Sequence, residues 1–121
     1  MKLNIIKQNE KTIVHVVHEE ILITDVQSAL DLMATVRYET GADRMILDKA
    51  AICEEFFDLK TKLAGEVLQK FTNYHVKLAI VGDFSVYTSK SLRDFIYESN
   101  HGKDVFFLST EEEAAARLAE V

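Results

Sequence analysis

Residues 76–83 read VKLAIVGD, an apolar run that ends in glycine and aspartate. Its length and its content of aliphatic residues are typical of a strand that is covered on both sides by other layers. Two shorter runs of the same character occur at residues 44–48 and 105–108. The three runs predict buried strands, and helical segments separate them along the chain.

The helical segments carry apolar residues at spacings of three and four, which is the period of an amphipathic helix. They fall at residues 26–36, 59–71 and 92–96. Thr24 and Gln27 have the spacing of a capping box, and this predicts where the first helix begins.

Other residues mark helix ends. Gly41 permits a left-handed stop after the first helix, and the third helix is predicted to end near residues 100–102. Thr110 and Glu113 again have capping-box spacing and predict an alanine-rich fourth helix. Gly65 interrupts the second helix at a cost of about 1 kcal/mol, for which a close approach of the helix to the sheet would compensate.

The N-terminal region predicts a hairpin. Residues 3–6 and 12–17 are β-rich runs on either side of a polar turn at residues 8–11. The second run is apolar on both faces except at His15, so it is expected to lie inside the sheet.

The order of elements is therefore two strands, three helix-strand repeats and a closing helix. Such alternation predicts parallel strands joined by right-handed crossovers, with the hairpin adding one antiparallel edge. We predict an α/β fold, a mostly parallel sheet of about five strands with an N-terminal hairpin and four helices, in one domain over residues 1–121. The order of the strands across the sheet stays open.

The composition restricts the partners and the compartment. The chain has 121 residues, 48% of them hydrophobic and 28% charged, with a formal net charge of -6, which disfavours nucleic acid and anionic membrane surfaces. Cys53 is the only cysteine, so no internal disulfide can form. The apolar stretch at the start is shorter than a signal peptide needs, and no run reaches the length of a membrane span. We expect a cytoplasmic protein.

The candidate site follows from the strand direction, because ligands of open parallel sheets bind beyond the carboxyl ends of the strands. Three loops meet there, at residues 48–58, 82–91 and 109–113. The candidate binding residues in the first two are Asp48, Glu55, Asp58, Asp83, Tyr87, Thr88, Ser89 and Lys90. The hydroxyls of Thr88 and Ser89, with Lys90, are predicted either to cap the third helix or to bind an anion at its start.

We predict no catalytic residue, metal or cofactor. The loop carboxylates could hold a divalent cation, but their spacing matches no calcium loop, and solvated surface charge is the alternative. The chain has no glycine-rich phosphate loop, nucleophile elbow or His-Glu-x-x-His motif. His15 and the other three histidines are interpreted as structural or surface residues, and Cys53 as a buried thiol.

Four segments carry a resemblance to a known family. They read ILDK at residues 46–49, EEFFDL at 54–59, LAIVGDF at 78–84 and SLRDFIYES at 91–99. Over nearly the whole chain the sequence resembles a bacterial family numbered 4180 among the domains of unknown function. The resemblance brings no activity with it.

The element order is also similar to that of STAS domains, which sulphate transporters and anti-sigma-factor antagonists share. That similarity implies a STAS-like fold and a role in binding other proteins. STAS domains can be phosphorylated on a serine that follows an aspartate at the start of the second helix. Asp58 matches the aspartate, but Leu59 and Lys60 follow it and the nearest hydroxyl belongs to Thr61.

Two functional hypotheses result. The first is a non-catalytic protein-interaction or regulatory module that binds a partner protein or itself through the second helix, the loop before it and the loop after the fourth strand. The aromatic residues near that surface are Phe56, Phe57, Phe84, Tyr87 and Tyr97. The alternative is a small-molecule or anion binder, or an enzyme, that uses the crevice at the carboxyl ends of the strands; a deep apolar pocket would favour it.

Overall fold

A computed structural model describes residues 1–121 and confirms the predicted α/β architecture. The strands are β1 (Lys2–Gln8), β2 (Lys11–Val17), β3 (Arg44–Asp48), β4 (Lys77–Val81) and β5 (Val105–Leu108). The helices are α1 (Val26–Thr40), α2 (Leu63–Asn73), α3 (Lys90–Asn100) and α4 (Glu111–Ala119). No helix combines the length and hydrophobicity that a membrane crossing needs.

The sheet runs in the order β1-β2-β3-β4-β5. β1 is antiparallel to β2, and the other three pairs of neighbours are parallel, so β2 lies inside the sheet as predicted. Each of α1, α2 and α3 connects two adjacent parallel strands. Right-handed crossovers that always advance in one direction place these helices on the same face of the sheet.

Two hydrophobic cores result, one on each face. Neighbouring residues of β3 alternate between them, because successive side chains in a strand point to opposite faces. Met45 and Leu47 belong to the larger core, under α1, α2 and α3, whereas Ile46 belongs to the smaller core, under α4. β2 follows the same rule, with Val14 in the larger core and Ile13 in the smaller one.

The helix ends partly match the sequence predictions. Gly41 ends α1 with a φ of 73°, and Thr110 caps α4 by accepting a hydrogen bond from the Glu113 amide at 3.1 Å, as predicted. The start of α1 was predicted one residue too early. Asp25, not Thr24, is its cap and accepts a hydrogen bond from the Ser28 amide at 2.8 Å.

The second helix also begins later than predicted. The segment between β3 and α2 forms three short 3-10 turns, Lys49–Ala51, Glu54–Phe57 and Leu59–Thr61. Lys62 then takes a φ of 66°, so the chain turns before α2 begins at Leu63. The predicted start was wrong because the spacing of three in a 3-10 turn resembles that of an α-helix.

The prediction for Gly65 is also wrong. Gly65 is exposed, and a methyl group built on it meets no heavy atom within 4 Å, so no close approach to the sheet compensates for the glycine. Gly65 therefore lowers the stability of α2 through its poor helix propensity, and no packing contact offsets this cost.

Replacing Gly65 with alanine is expected to raise the free energy of unfolding by about 0.5–1 kcal/mol, because alanine loses less backbone entropy on folding. Urea denaturation measures the change. Gly41→Ala is the matched control and is expected to destabilise the chain, because its φ of 73° is unfavourable for alanine. A Gly65→Ala midpoint at or below the wild-type value would contradict the prediction.

Candidate functional site

Aromatic side chains fill the space beyond the carboxyl ends of β3, β4 and β5 on the three-helix side. Phe57 stacks on Tyr87 with ring centroids 5.3 Å apart and contacts Phe56 edge-on at 5.0 Å. Phe84 contacts Phe107, a β5 residue, edge-on at 5.4 Å. We call these five residues the aromatic cluster. Because the aromatic cluster fills the space at the strand ends, the surface of the protein there is shallow.

Lys49 contacts two residues of the loop after β4 in the same region. Its Nζ lies 4.6 Å from the centroid of the Tyr87 ring and donates to the Asp83 carbonyl oxygen at 3.2 Å. Gly82 makes this approach possible, since a methyl group there would lie 2.6 Å from the Lys49 Cβ. The loop after β3 and the loop after β4 are therefore held against each other.

The solvent-facing part of this surface is formed by half-buried Tyr87 and the exposed residues Glu54, Asp58, Val86 and Thr88, and we call these five residues the Val86 shelf. These residues line one open cleft. Val86 is 61% exposed. Tyr87 Oη donates to Glu54 Oε2 at 3.3 Å, which orients the phenol on the shelf.

Tyr87 is a neutral hydrogen-bond donor at physiological pH. Burial raises the pKa of Tyr87 to about 12, and the charge of Glu54 and the hydrogen bond to it add to the rise. The phenol therefore cannot serve as a base in the neutral range.

The polar residues at the start of α3 have partners within the chain. Ser89 accepts a hydrogen bond from the Leu92 amide at 3.2 Å and so caps α3. The Lys90 ammonium pairs with Asp94 at 2.7 Å, one turn along the helix. Two of the three side chains predicted to bind an anion, Ser89 and Lys90, thus have partners within α3, and the third, Thr88, is exposed.

The carboxylates of the two loops also have local roles. Asp83 accepts hydrogen bonds from the amide and hydroxyl of Ser85, which lower the pKa of Asp83. Asp58 accepts from the Lys60 amide at 3.2 Å and caps a 3-10 turn. A hydrogen bond with its own backbone amide lowers the pKa of Glu55, so this exposed carboxylate is ionised at neutral pH.

Asp48 lies on the other face of the sheet, where it contacts His15. Asp48 Oδ1 is 3.1 Å from His15 Nε2, and the Glu111 carboxylate contacts His15 Nδ1. His15 is buried on β2 and Glu111 opens α4, so the three residues join two strands to a helix. Sequence reasoning missed this bridge, because its members are separated by 33 and 96 residues.

The bridge leaves His15 no free ring nitrogen. Each ring nitrogen is in contact with a carboxylate oxygen, so neither is open to a substrate or a metal ion. At the opposite end of α4, Arg44 Nε donates to the Leu118 carbonyl oxygen at 2.9 Å. Polar contacts therefore hold α4 on the sheet at both of its ends.

The structure thus divides the predicted site residues. Asp58, Tyr87, Thr88 and Ser89 line the cleft of the Val86 shelf, and Asp83 lies in a neighbouring depression beside β5. Asp48 belongs to the bridge under α4, while Glu55 and Lys90 line neither depression. No group of three or more His, Cys, Asp or Glu side chains is arranged to hold a metal ion.

These features define a small α/β protein with four parallel strands, an antiparallel hairpin edge and a carboxyl-end surface filled by aromatic residues. Comparison with known families gives a more specific assignment: the model of the family described as Domain of unknown function (DUF4180) matches residues 8–118. The chain belongs to this family. Searches of curated proteins and of solved structures found no match.

Proposed function

We propose that the chain is a non-catalytic module that binds a protein partner through the Val86 shelf. The observation that carries the proposal is the pair formed by Val86, which is 61% exposed, and Tyr87, which is fixed on Phe57 beside it. Aromatic residues are enriched at the centres of protein interfaces. A ring that is already fixed loses little conformational freedom on binding.

The charges around the shelf indicate the chemistry of the partner. Glu54 and Asp58 are exposed carboxylates of the cleft, and exposed Lys60 lines the cleft with them. Lys49 Nζ lies 4.6 Å from the centroid of the Tyr87 ring, and the whole chain carries a net charge of -6. A complementary surface would place an apolar side chain on Val86 and basic side chains opposite the two carboxylates. We therefore propose a partner surface with an apolar centre and a rim whose basic side chains face Glu54 and Asp58 and whose acidic side chain faces Lys60.

The polar groups near the strand ends favour binding over catalysis. His15 has a carboxylate at each ring nitrogen, and Tyr87 is neutral with a pKa of about 12. General acid-base catalysis requires a group that exchanges a proton near the working pH. Tyr87 does not meet that requirement, and carboxylates occupy both ring nitrogens of His15.

The similarity of the element order to STAS domains supports a protein-binding role, and we propose a STAS-like module on that ground. The environment of Thr61 argues against a phosphoswitch there. Its hydroxyl oxygen lies 2.7 and 2.8 Å from the carbonyl oxygens of Glu55 and Asp58, which share its single proton, and it accepts a hydrogen bond from the Leu63 amide. Phosphorylation would break these contacts at the start of α2, so we propose binding that does not depend on it.

We also propose a cytoplasmic location, with Cys53 as support. Cys53 is a buried free thiol. Burial raises the pKa of Cys53, and a hydrogen bond with Glu55 adds to the rise, so little thiolate forms at neutral pH. A lone unreactive thiol is compatible with a reducing compartment.

Affinity enrichment from a lysate of the native cell tests the shelf. The baits are wild type, Val86→Lys and the control Tyr38→Lys, which also introduces a lysine, but at a 91% exposed residue near the opposite end of the sheet. At least one protein is expected to be recovered by wild type and Tyr38→Lys but reduced about tenfold or more with Val86→Lys, since a misplaced charge at a contact centre weakens binding. Identical recovery by all three baits would contradict the proposal.

A further inference from the structure

β1 forms an edge of the sheet, and only β2 lies beside it. We propose that β1 of one copy of the chain pairs with β1 of a second copy in antiparallel orientation, about a two-fold axis at Ile5. The two sheets would then join into one continuous sheet. The inference concerns a surface that is separate from the Val86 shelf.

The hairpin turn fixes which backbone groups of β1 face outward. Asn9 and Glu10 have φ values of 51° and 65°, and Gln8 is paired with Lys11. A two-residue turn with both φ values positive is a type I′ turn, and the residues that flank it exchange backbone hydrogen bonds. Gln8 therefore directs its N–H and C=O groups toward β2.

Hydrogen-bonded and non-bonded pairs alternate along an antiparallel ladder. The other even-numbered residues of β1 accordingly bond to β2. Leu3, Ile5 and Lys7 direct their N–H and C=O groups outward, where nothing in the chain can pair with them. These are three donors and three acceptors in one row.

That row is complementary to itself. With Ile5 opposite Ile5 of the copy, Leu3 lies opposite the copy's Lys7, and all the outward groups of both strands find partners. Centring the pair on Lys7 would place two lysines opposite each other, which is destabilising. Centring it on Leu3 would leave Lys7 of each strand unpaired, so Ile5 is the favoured centre.

The side chains support the same register. Leu3 packs on the larger core, but Ile5, on the same face, is 56% exposed. Across the proposed axis the two Ile5 side chains would cover each other. Lysines often protect sheet edges from pairing, yet Lys7 Nζ donates to Thr12 Oγ1 at 2.7 Å and is thereby drawn toward β2, away from the outer edge.

Cysteine cross-linking tests the register. In a hydrogen-bonded antiparallel pair the Cα atoms lie about 5.5 Å apart and the Cβ atoms about as far, which is too far for a relaxed disulfide but within reach of a short bifunctional thiol reagent, so Ile5→Cys is expected to form a covalent dimer with such a reagent. Lys7→Cys is the matched control, because its two copies would be offset by about 14 Å along the strands. Equal cross-linking at the two positions, or none at position 5, would overturn the proposal.

Sedimentation equilibrium tests the association without cross-links. Wild type is expected to dimerise reversibly, and Ile5→Lys is expected to raise the dissociation constant by about tenfold or more, because two like charges would face each other at the axis. Tyr38→Lys controls for added charge and is expected to leave the constant unchanged. A wild-type chain that stays monomeric, or an Ile5→Lys dimer of wild-type affinity, would overturn the proposal.

Discussion

Replacing Phe57 with alanine is expected to lower the free energy of unfolding by about 3–5 kcal/mol, as truncation of a buried phenylalanine does. Phe57 is 4% exposed and lies between Phe56 and Tyr87 in the aromatic cluster. Its loss would leave a cavity and remove three aromatic contacts, to Phe56, Phe84 and Tyr87, and such contacts contribute about 0.5–1.5 kcal/mol each beyond the buried area. Urea denaturation followed by circular dichroism measures the change.

Tyr87→Phe is the control for this prediction. It keeps the ring stacked on Phe57 and removes only the hydrogen bond to Glu54, so the expected loss is about 1 kcal/mol or less. If Phe57→Ala cost no more than Tyr87→Phe, the cluster would not fix the shelf, and the structural basis of the proposed partner surface would fail.

Replacing His15 with alanine is expected to lower the free energy of unfolding by about 2–4 kcal/mol, because it removes a buried ring and its polar contacts with two carboxylates. Asp48 and Glu111 would then face each other without the imidazole. Their side chains are 46% and 43% exposed, so both can regain water, and this limits the loss. Urea denaturation gives the free energy, and amide hydrogen exchange is expected to accelerate in α4.

His18→Ala is the matched control, since His18 is exposed just beyond β2 and its loss is expected to change stability by less than about 0.5 kcal/mol. Unchanged exchange in α4 upon His15→Ala would show that the bridge does not hold that helix on the sheet.

Much of the fold could be predicted because local chemistry specifies it. Gly41 ends α1 in the left-handed conformation, and the Thr110 cap opens α4, since each depends on residues within one turn of itself. The apolar runs predicted the strands because both faces of the sheet are covered, so that successive side chains of a strand such as β3 enter one core or the other. Strand order could not be predicted, because adjacent and more distant crossovers leave the same pattern in the sequence.

The candidate site was harder to predict than the fold. The rule that ligands bind beyond the carboxyl ends of parallel strands grouped Asp58, Tyr87 and Thr88, which line one cleft. The same rule could not assign Asp48 to the other face of the sheet. Nothing next to His15 in the sequence indicates that its partners are the last residue of β3 and the first residue of α4. The period of two along β2, which places His15 on the same face as Ile13, was the one available signal.

Photo-cross-linking in living cells tests the proposed partner surface most directly. A photoreactive amino acid at position 86 is expected to give discrete adducts between this chain and another protein, whereas the same amino acid at position 38 is expected to give none of them. Adducts that are absent at position 86, or that form equally at both positions, would contradict the account.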